Sequence, residues 1–173
     1  MKPTLFLDVD GVLATFGEYS RNRKKFWDKY EIADTLRLPY EFNPGCVKVL
    51  NEILEKTDAD IVLTSDWRTH WTLEQLGNIF EFNKIIKRPI DVTEVFPTTF
   101  MYLEKNRAHE IDIYREKRNL ENYVIVDDLD LSPFVPKGRF VLTIEREGLK
   151  QSNIKQKILK ILQNEQKPKE TSG

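Results

Sequence analysis

The sequence predicts an α/β fold in which a mostly parallel, doubly wound sheet carries helices on both faces. Short apolar runs of strand length alternate with segments whose apolar residues recur at helical spacing. Three of these runs end in carboxylates or hydroxyls. Because right-handed crossovers bring the carboxyl ends of parallel strands to one edge, where ligands bind, these polar residues are expected to meet there.

The length and charge of the chain set the first limits. A chain of 173 residues is most simply one domain, which we place at residues 1–164, followed by a polar tail at 165–173 that has no periodicity and is expected to be disordered. With 27 basic and 28 acidic residues, the protein has no overall attraction to polyanions. Any binding to nucleic acid must therefore come from a local patch.

The single cysteine and the lack of long apolar stretches indicate the compartment. Cys46 cannot form an internal disulfide, which is typical of a reducing environment. The N-terminal apolar run is short and is interrupted by Asp8, so it does not resemble a signal peptide. No apolar stretch is long enough to cross a membrane. We expect a cytoplasmic protein without a membrane partner.

The first predicted strand covers residues 4–8 and leads into two acids spaced two apart. At the period of a strand, Asp8 and Asp10 would leave the backbone on the same side, and Gly11 would allow a sharp turn after them. Two close carboxylates repel each other, so they need a compensating cation, of which Mg²⁺ is the simplest, or a shared proton. The alternative is that Asp-Gly is only a turn signal.

An insertion is predicted after the first strand, at residues 14–42, where periodicity weakens. We interpret it as a small cap or flap over the end of that strand. The segment Arg21–Trp27 mixes basic and aromatic residues, which is typical of contacts with a nucleic-acid chain. A solvated helix with one packed face is the alternative.

The second unit is a helix followed by a strand. Asn43 and Pro44 predict the start of the helix, and residues 60–64 form the second strand. The strand leads into Ser65-Asp66-Trp67-Arg68, so polar groups again follow a strand. Thr72 and Gln75 then have the spacing of a capping box, which predicts a further helix.

The remaining units complete the alternation. A short strand is expected around residues 84–90, followed by a helix that contains Arg107. The third clear strand, residues 123–127, is followed by Asp128, and a fourth covers residues 140–144. A last helix follows these strands.

Among the residues of the predicted site, the basic side chain is the one that the sequence determines least well. Arg107 interrupts an apolar stripe that contains Ile111 and Tyr114, so its side chain should point toward the sheet. Lys105 would lie about 200° around the helix from Arg107. We therefore favour Arg107 over Lys105, with Lys84 and Lys87 as alternatives.

Together these residue types predict phosphoryl transfer. Carboxylates without a His or Cys cluster favour Mg²⁺ over zinc. Asp8 would act as nucleophile, and Asp10 as general acid and then general base. Thr64 or Ser65 would donate to the phosphoryl oxygens. Asp127 and Asp128 would hold the metal together with the first acid pair.

These motifs resemble those of the haloacid dehalogenase (HAD) superfamily, which has a Rossmann-like sheet. The matching segments are Asp8-Val9-Asp10-Gly11-Val12, Leu63-Thr64-Ser65 and Asp127-Asp128. An Asp at position 10 implies a phosphatase or phosphomutase rather than a dehalogenase. The resemblance also implies that the backbone carbonyl of Asp10 contacts Mg²⁺ beside the Asp8 carboxylate, and that a basic residue such as Arg107 completes the site.

A narrower resemblance concerns small HAD domains associated with RNA-repair proteins. It depends on Leu63–Arg68, Arg107–Ile111, Asp127-Asp128 and Gly148-Leu149. It implies a nucleotide or nucleic-acid-end phosphate as substrate. Candidate substrate contacts are Gly11, Trp67 and Arg68, although packing against the insertion is an equal alternative for the last two.

The leading hypothesis is a Mg²⁺-dependent phosphomonoester hydrolase that acts through an aspartyl-phosphate on Asp8. A phosphorylated small molecule is the other possible substrate class. One rival is a phosphoacceptor or regulatory domain that does not hydrolyse its acyl phosphate. Another is an RNA-binding module without catalysis, led by Arg21–Trp27. The oligomeric state is not predicted.

Overall fold

The computed structural model describes residues 2–16, 42–96 and 102–164, and five parallel strands form one sheet within them. The strands are β1 (Thr4–Leu7), β2 (Asp60–Leu63), β3 (Asp91–Val92), β4 (Tyr123–Asp127) and β5 (Phe140–Leu142). Their order in the sheet is β3-β2-β1-β4-β5. The predicted fold class is confirmed. Most of the insertion at 14–42, the segment Arg21–Trp27 and the tail at 165–173 lie outside the described residues.

Within the described ranges, four helices cover both faces of the sheet. They are α1 (Pro44–Thr57), α2 (Leu73–Phe82), α3 (Leu103–Lys117) and α4 (Ile154–Asn164). Two short 3₁₀ turns, Asp66–Thr69 and Gly148–Lys150, complete the described elements. Side chains alternate along each strand, so Leu5 and Leu7 pack with α1, α2 and α4, whereas Phe6 packs on the other face with α3. The sheet is therefore buried on both sides.

The register of the strands aligns their carboxyl ends at one edge. Leu7 of β1 lies between Leu63 of β2 and Val126 of β4. The residues that follow these three positions, Asp8, Thr64 and Asp127, therefore leave the sheet at the same level. This alignment, which the three polar strand ends predict, positions the candidate site.

Local signals in the sequence account for the starts of α1 and α2. The Asn43 side chain accepts a hydrogen bond from the Gly45 amide, and Pro44 occupies the first turn of α1. Thr72 and Gln75 form the predicted capping box at the start of α2, each side chain bonding the backbone of the other. Both predicted helix starts are confirmed.

The predicted strand at residues 84–90 is wrong in its position, because the strand is β3 at Asp91–Val92. The Asn51 side chain donates to the Lys84 carbonyl and accepts from the Ile86 amide. These bonds engage backbone groups that a strand would use for its ladder, so this segment forms a turn before the strand begins. The strand predicted at 140–144 also ends earlier, at Leu142.

Two further findings concern Cys46 and the helices. Cys46 is buried and free, and its thiol donates to the Glu147 carbonyl at 3.3 Å. Across the three described ranges, no helix combines the length and apolar character needed to span a lipid bilayer.

Candidate active site

Three carboxylates converge at the carboxyl edge of the sheet. Oxygens of Asp8, Asp127 and Asp128 all lie within 4.8 Å of one another. Asp8 and Asp127 are buried and Asp128 is partly exposed. Asp127 also accepts a hydrogen bond from the Leu129 amide at 2.9 Å, which fixes the direction of its carboxylate. We call these three residues the acid cluster.

Arg107 is the cation of the acid cluster. Its Nη1 lies 3.3 Å from Asp8 Oδ2 and 3.1 Å from Asp127 Oδ2, and its Nη2 donates to Asp66 Oδ1 at 3.0 Å. The Arg107 side chain is 5% exposed, so these charges interact in a poorly screened environment. Burial lowers the pKa of Arg107, but the negative charges of Asp8 and Asp127 together raise it by more than burial lowers it. The net pKa is therefore above its ordinary value, and Arg107 stays protonated.

The other candidate lysines lie elsewhere, and Lys105 is exposed on α3. Lys87 Nζ bonds Asp58 and the Ala59 carbonyl just before β2, at the amino edge of the sheet. Lys84 lies in the turn after α2, where its carbonyl is bound by Asn51. The geometry therefore brings Arg107 to the acids, as its position on the apolar stripe predicts.

Negative charge in the acid cluster exceeds what Arg107 neutralises. Burial and the neighbouring Asp127 raise the pKa of Asp8 above its ordinary value, although Arg107 opposes this shift. Burial also raises the pKa of Asp127. Burial and the nearby Asp8 raise the pKa of Asp128 to about 6. Three acids with raised pKa values beside a single arginine indicate a site that favours additional positive charge.

The two candidate hydroxyls have different environments. The Ser65 hydroxyl lowers the pKa of the neighbouring Asp8 carboxylate and accepts from the Trp67 amide at 3.5 Å. Thr64 Oγ1 is fully buried and has no hydrogen-bond partner among the described residues. The Thr64 amide donates to the Leu7 carbonyl, which places Thr64 beside Asp8 on the neighbouring strand end. Thr64 thus keeps an unused donor next to the acid cluster.

The Asp10 carboxylate points to a different partner from the other acids. Its Oδ2 accepts a hydrogen bond from Trp67 Nε1 at 2.8 Å. Trp67 is 7% exposed and its ring packs against Phe42. β1 ends at Leu7, so Asp8 and Asp10 both belong to the loop after the strand. The Asp10 carboxylate is not a member of the acid cluster, while a metal contact through its backbone carbonyl stays a prediction.

Arg68 forms a buried ion pair behind the site. Its guanidinium bonds Glu110 and the Thr64 carbonyl, and its side chain is 3% exposed. Glu110 also accepts from the Phe96 amide. Arg68 thereby connects the end of β2 to helix α3. Substrate binding by Trp67 and Arg68 stays a prediction, and the structure shows internal partners for both.

Gly11 is required by the close approach of Asp128. It adopts φ +69°, and a Cβ at this position would overlap the Asp128 carboxylate and lie 2.7 Å from its Cβ. The Gly11 carbonyl accepts from the Thr143 hydroxyl at 3.0 Å. Gly11 thus makes room for the acid cluster, and substrate binding by it stays a prediction.

Three partners in the site were not predicted from the sequence. They are Asp66, which binds Arg107, Glu110, which binds Arg68, and Thr143, which supports Gly11. One signal was available for Glu110, since it follows Arg107 by three residues and so lies on the same helix face. The other two contacts join segments that are 41 and 132 residues apart.

Comparison with protein families identifies the chain. The family model for the HAD domain in Swiss Army Knife RNA repair proteins matches residues 4–154. The chain belongs to this family of HAD domains. Comparisons with curated proteins and with solved structures found no match. At the coarse level, membership supports a HAD-type phosphohydrolase.

HAD domains generally use Mg²⁺, and the residues of this HAD domain fit that ion. All three members of the acid cluster offer carboxylate oxygens, the ligands that Mg²⁺ prefers. The raised pKa of Asp128 indicates charge that Arg107 does not neutralise. The space left by Gly11 allows Asp128 to approach Asp8. Asp8, Asp127 and Asp128 would hold the ion.

Proposed function

We propose that this HAD domain is a Mg²⁺-dependent phosphomonoester hydrolase that acts through an aspartyl-phosphate on Asp8. The observation that carries the proposal is the buried cluster of Asp8, Asp127 and Asp128 with Arg107 inserted between its members. Bound Mg²⁺ would supply positive charge to the phosphoryl oxygens and lower the repulsion between the substrate and the carboxylates.

Asp8 and Asp10 would carry the two chemical steps. In the first, an Asp8 oxygen attacks phosphorus, the bond to the leaving oxygen breaks, and Asp10 gives that oxygen a proton. In the second, Asp10 takes a proton from water, whose oxygen attacks phosphorus and breaks the acyl phosphate bond. Inorganic phosphate leaves and the Asp8 carboxylate is restored. The hydrogen bond from Trp67 holds Asp10 ready for both steps.

Thr64 and Arg107 would bind the phosphoryl group and its partners. Of the two hydroxyls, we assign the phosphate contact to Thr64, because its Oγ1 is buried without a partner among the described residues whereas Ser65 is engaged. Arg107 orients Asp8 and Asp127 through its two ion pairs and adds positive charge beside the reacting oxygens.

The proposed substrate is a phosphate at the end of a nucleotide or polynucleotide. Support comes from the family, whose members occur in RNA repair proteins. The RNA-binding alternative led by Arg21–Trp27 concerns residues outside the described ranges, so it stays a prediction. A panel of nucleotides, 5′- and 3′-phosphorylated oligonucleotides and sugar phosphates would identify the class by comparing kcat/KM.

The mechanism is tested by turnover of an aryl phosphate with and without Mg²⁺. Asp8→Asn removes the nucleophile and should reduce turnover to the uncatalysed level. The matched control is Asp60→Asn, the same chemical change at the amino end of β2, which should keep full activity. Equal activity in the Asp8 variant and the wild type would discard the mechanism.

The same experiment separates hydrolysis from the phosphoacceptor alternative. A hydrolase releases one phosphate per cycle and continues after the first turnover. A phosphoacceptor domain would stop after one equivalent and keep a long-lived label on Asp8 that hydroxylamine removes.

A further inference from the structure

A groove with a basic rim lies between the edge strand β5 and helix α4. Its volume is about 540 Å³, and no carboxylate is among the described residues that line it. The lining includes four cations and two large apolar side chains: Lys137, Arg139, Lys157, Lys160, Phe140 and Ile161. We call this feature the basic groove.

Three of the four cations of the basic groove have no counter-charge among the described residues. Lys137, Lys157 and Lys160 form no ion pair with another described residue. By contrast, Lys155 on the same helix pairs with Glu52. The segment 154–164 contains no acidic residue at all. In a protein whose total charge is −1, this is the kind of local patch that binding to a polyanion requires.

The loop before β5 holds Arg139 in place. Arg139 donates its amide to the Pro136 carbonyl, closing a turn in which Gly138 has φ +83°. A Cβ at Gly138 would meet no atom within 4 Å, so the turn faces open space. The Arg139 guanidinium lies over the Tyr123 ring at 4.9 Å and also donates to the Tyr123 carbonyl. This side of the basic groove is therefore preorganised.

The basic groove lies one strand away from the acid cluster. β5 is the outer neighbour of β4, with Phe140 paired to Ile125 and Leu142 paired to Asp127. Phe140 thus lies two residues, or about 7 Å, along the strand direction from the level of Asp127. The near end of the basic groove is therefore only a few ångströms along the strand direction from the level of the acid cluster.

The shape and chemistry of the basic groove favour single-stranded RNA over a lipid surface. In α4, Ile154, Ile158 and Leu162 are fully buried in the core, whereas its exposed described positions are Gln156, Lys157, Lys160 and Gln163, so the helix presents a polar face rather than an apolar one to a bilayer. Cations along a groove, with an aromatic side chain between them, suit a phosphate chain and its bases.

We propose that the basic groove binds the backbone of the RNA chain whose phosphorylated end is processed at the acid cluster. This inference rests on the proposed function for its choice of substrate, and it adds a second contact that a mononucleotide cannot make. RNA without a terminal phosphate should still bind there.

The test uses the full chain and a fluorescein-labelled 12-nucleotide RNA without a terminal phosphate, with anisotropy read across salt concentrations. The slope of log affinity against log salt is negative, and Lys157→Gln with Lys160→Gln should reduce its magnitude by about 1.4, since each lost single-strand phosphate contact contributes about 0.7. Between 50 and 200 mM salt, the loss of affinity should then be about sevenfold smaller than in the wild type. Lys137→Gln alone should reduce the magnitude of the slope by about 0.7.

The matched control is Lys48→Gln with Lys56→Gln, which removes the same charge from the exposed face of α1. This variant should keep the wild-type slope. An unchanged slope in the basic-groove variants overturns the inference. The inference is also overturned if phosphatidylserine vesicles or polyglutamate bind with the same affinity as RNA and lose that affinity in the same variants.

Aryl phosphate turnover separates the two proposals. It depends on the acid cluster and should be normal in the basic-groove variants. Loss of RNA binding in these variants while the wild type hydrolyses no phosphate would leave the basic groove established and the proposed function rejected. Normal turnover with an unchanged salt slope would reject the basic groove alone.

Discussion

The unpartnered hydroxyl of Thr64 has opposite effects on stability and on the proposed activity. A buried hydroxyl without a hydrogen bond costs about 1–3 kcal/mol. Thr64→Val should therefore leave the free energy of unfolding unchanged or raise it by about 1 kcal/mol in urea titration. If Thr64 donates to the phosphoryl group, kcat should fall about 100-fold.

Thr93 offers a control for this prediction. Its Oγ1 is also buried without a partner among the described residues, just beyond the edge strand β3. Thr93→Val should give the same stability change and keep kcat. Full activity in Thr64→Val would assign the phosphate contact elsewhere.

Substitutions at Gly11 and Gly138 distinguish two effects of adding a side chain, namely backbone strain at positive φ and displacement of Asp128. Both have positive φ, but a Cβ at Gly11 overlaps Asp128 and one at Gly138 meets no atom within 4 Å. Alanine at either position should cost about 1–2 kcal/mol of unfolding free energy. Because only Gly11→Ala displaces Asp128, only this variant should bind Mg²⁺ about tenfold more weakly by calorimetry. Equal Mg²⁺ affinity in both variants would contradict a role for Gly11 in admitting Asp128.

At the scale of elements, helix α3 connects the acid cluster to the end of β2. It carries Arg107, which binds Asp8, and Glu110, which binds Arg68. Both side chains are buried on the face that also packs Ile111 against the sheet. A simple apolar stripe predicts the burial of this face, but not that two of its positions carry paired charges.

The pair of Arg68 and Glu110 should contribute strongly to stability, because each side chain is nearly inaccessible to solvent. Glu110→Gln leaves a buried arginine without its counter-charge and should lower the free energy of unfolding by about 3 kcal/mol in urea. Glu94→Gln is the matched control, since Glu94 pairs with Lys117 at the surface, and it should cost less than about 1 kcal/mol. Similar small losses in both variants would show that the buried pair does not hold α3 in place.

At the scale of the whole molecule, the acid cluster couples stability to pH and Mg²⁺. The pKa values of Asp8 and Asp128 are raised by burial, that of Asp128 to about 6. A raised pKa in the folded state means that the stability contribution is complete below about pH 4, the unfolded value, and is lost as pH rises through the folded value. The metal-free protein should thus lose stability between about pH 4 and 7.

Mg²⁺ should reverse this loss, because the ion binds the ionised carboxylates. At pH 8, a concentration 100 times the Kd should stabilise the fold by about 2.7 kcal/mol. At pH 5 the gain should be small, because protonated carboxylates bind the ion weakly. Thermal unfolding at both pH values, with and without Mg²⁺, measures this difference. Asp128→Asn should reduce the stabilisation by Mg²⁺. An equal stabilisation at pH 5 and pH 8 would contradict the proposed coupling between Mg²⁺ and the ionised carboxylates.

The sequence by itself determined the fold class, the two helix starts at Asn43 and Thr72, and the meeting of three polar strand ends. These features depend on periodicity, caps and the geometry of parallel crossovers, which act over a few residues or follow from the chain's alternation. The family resemblance followed from the same motifs and is confirmed.

Only the tertiary structure decided the order of the strands, the pairing of Arg107 with Asp8 and Asp127, and the bond between Asp10 and Trp67. It also placed the basic groove between β5 and α4. The physical reason is distance along the chain. Asp10 and Trp67 are 57 residues apart, and no local pattern specifies which long-range partner a buried polar group will meet.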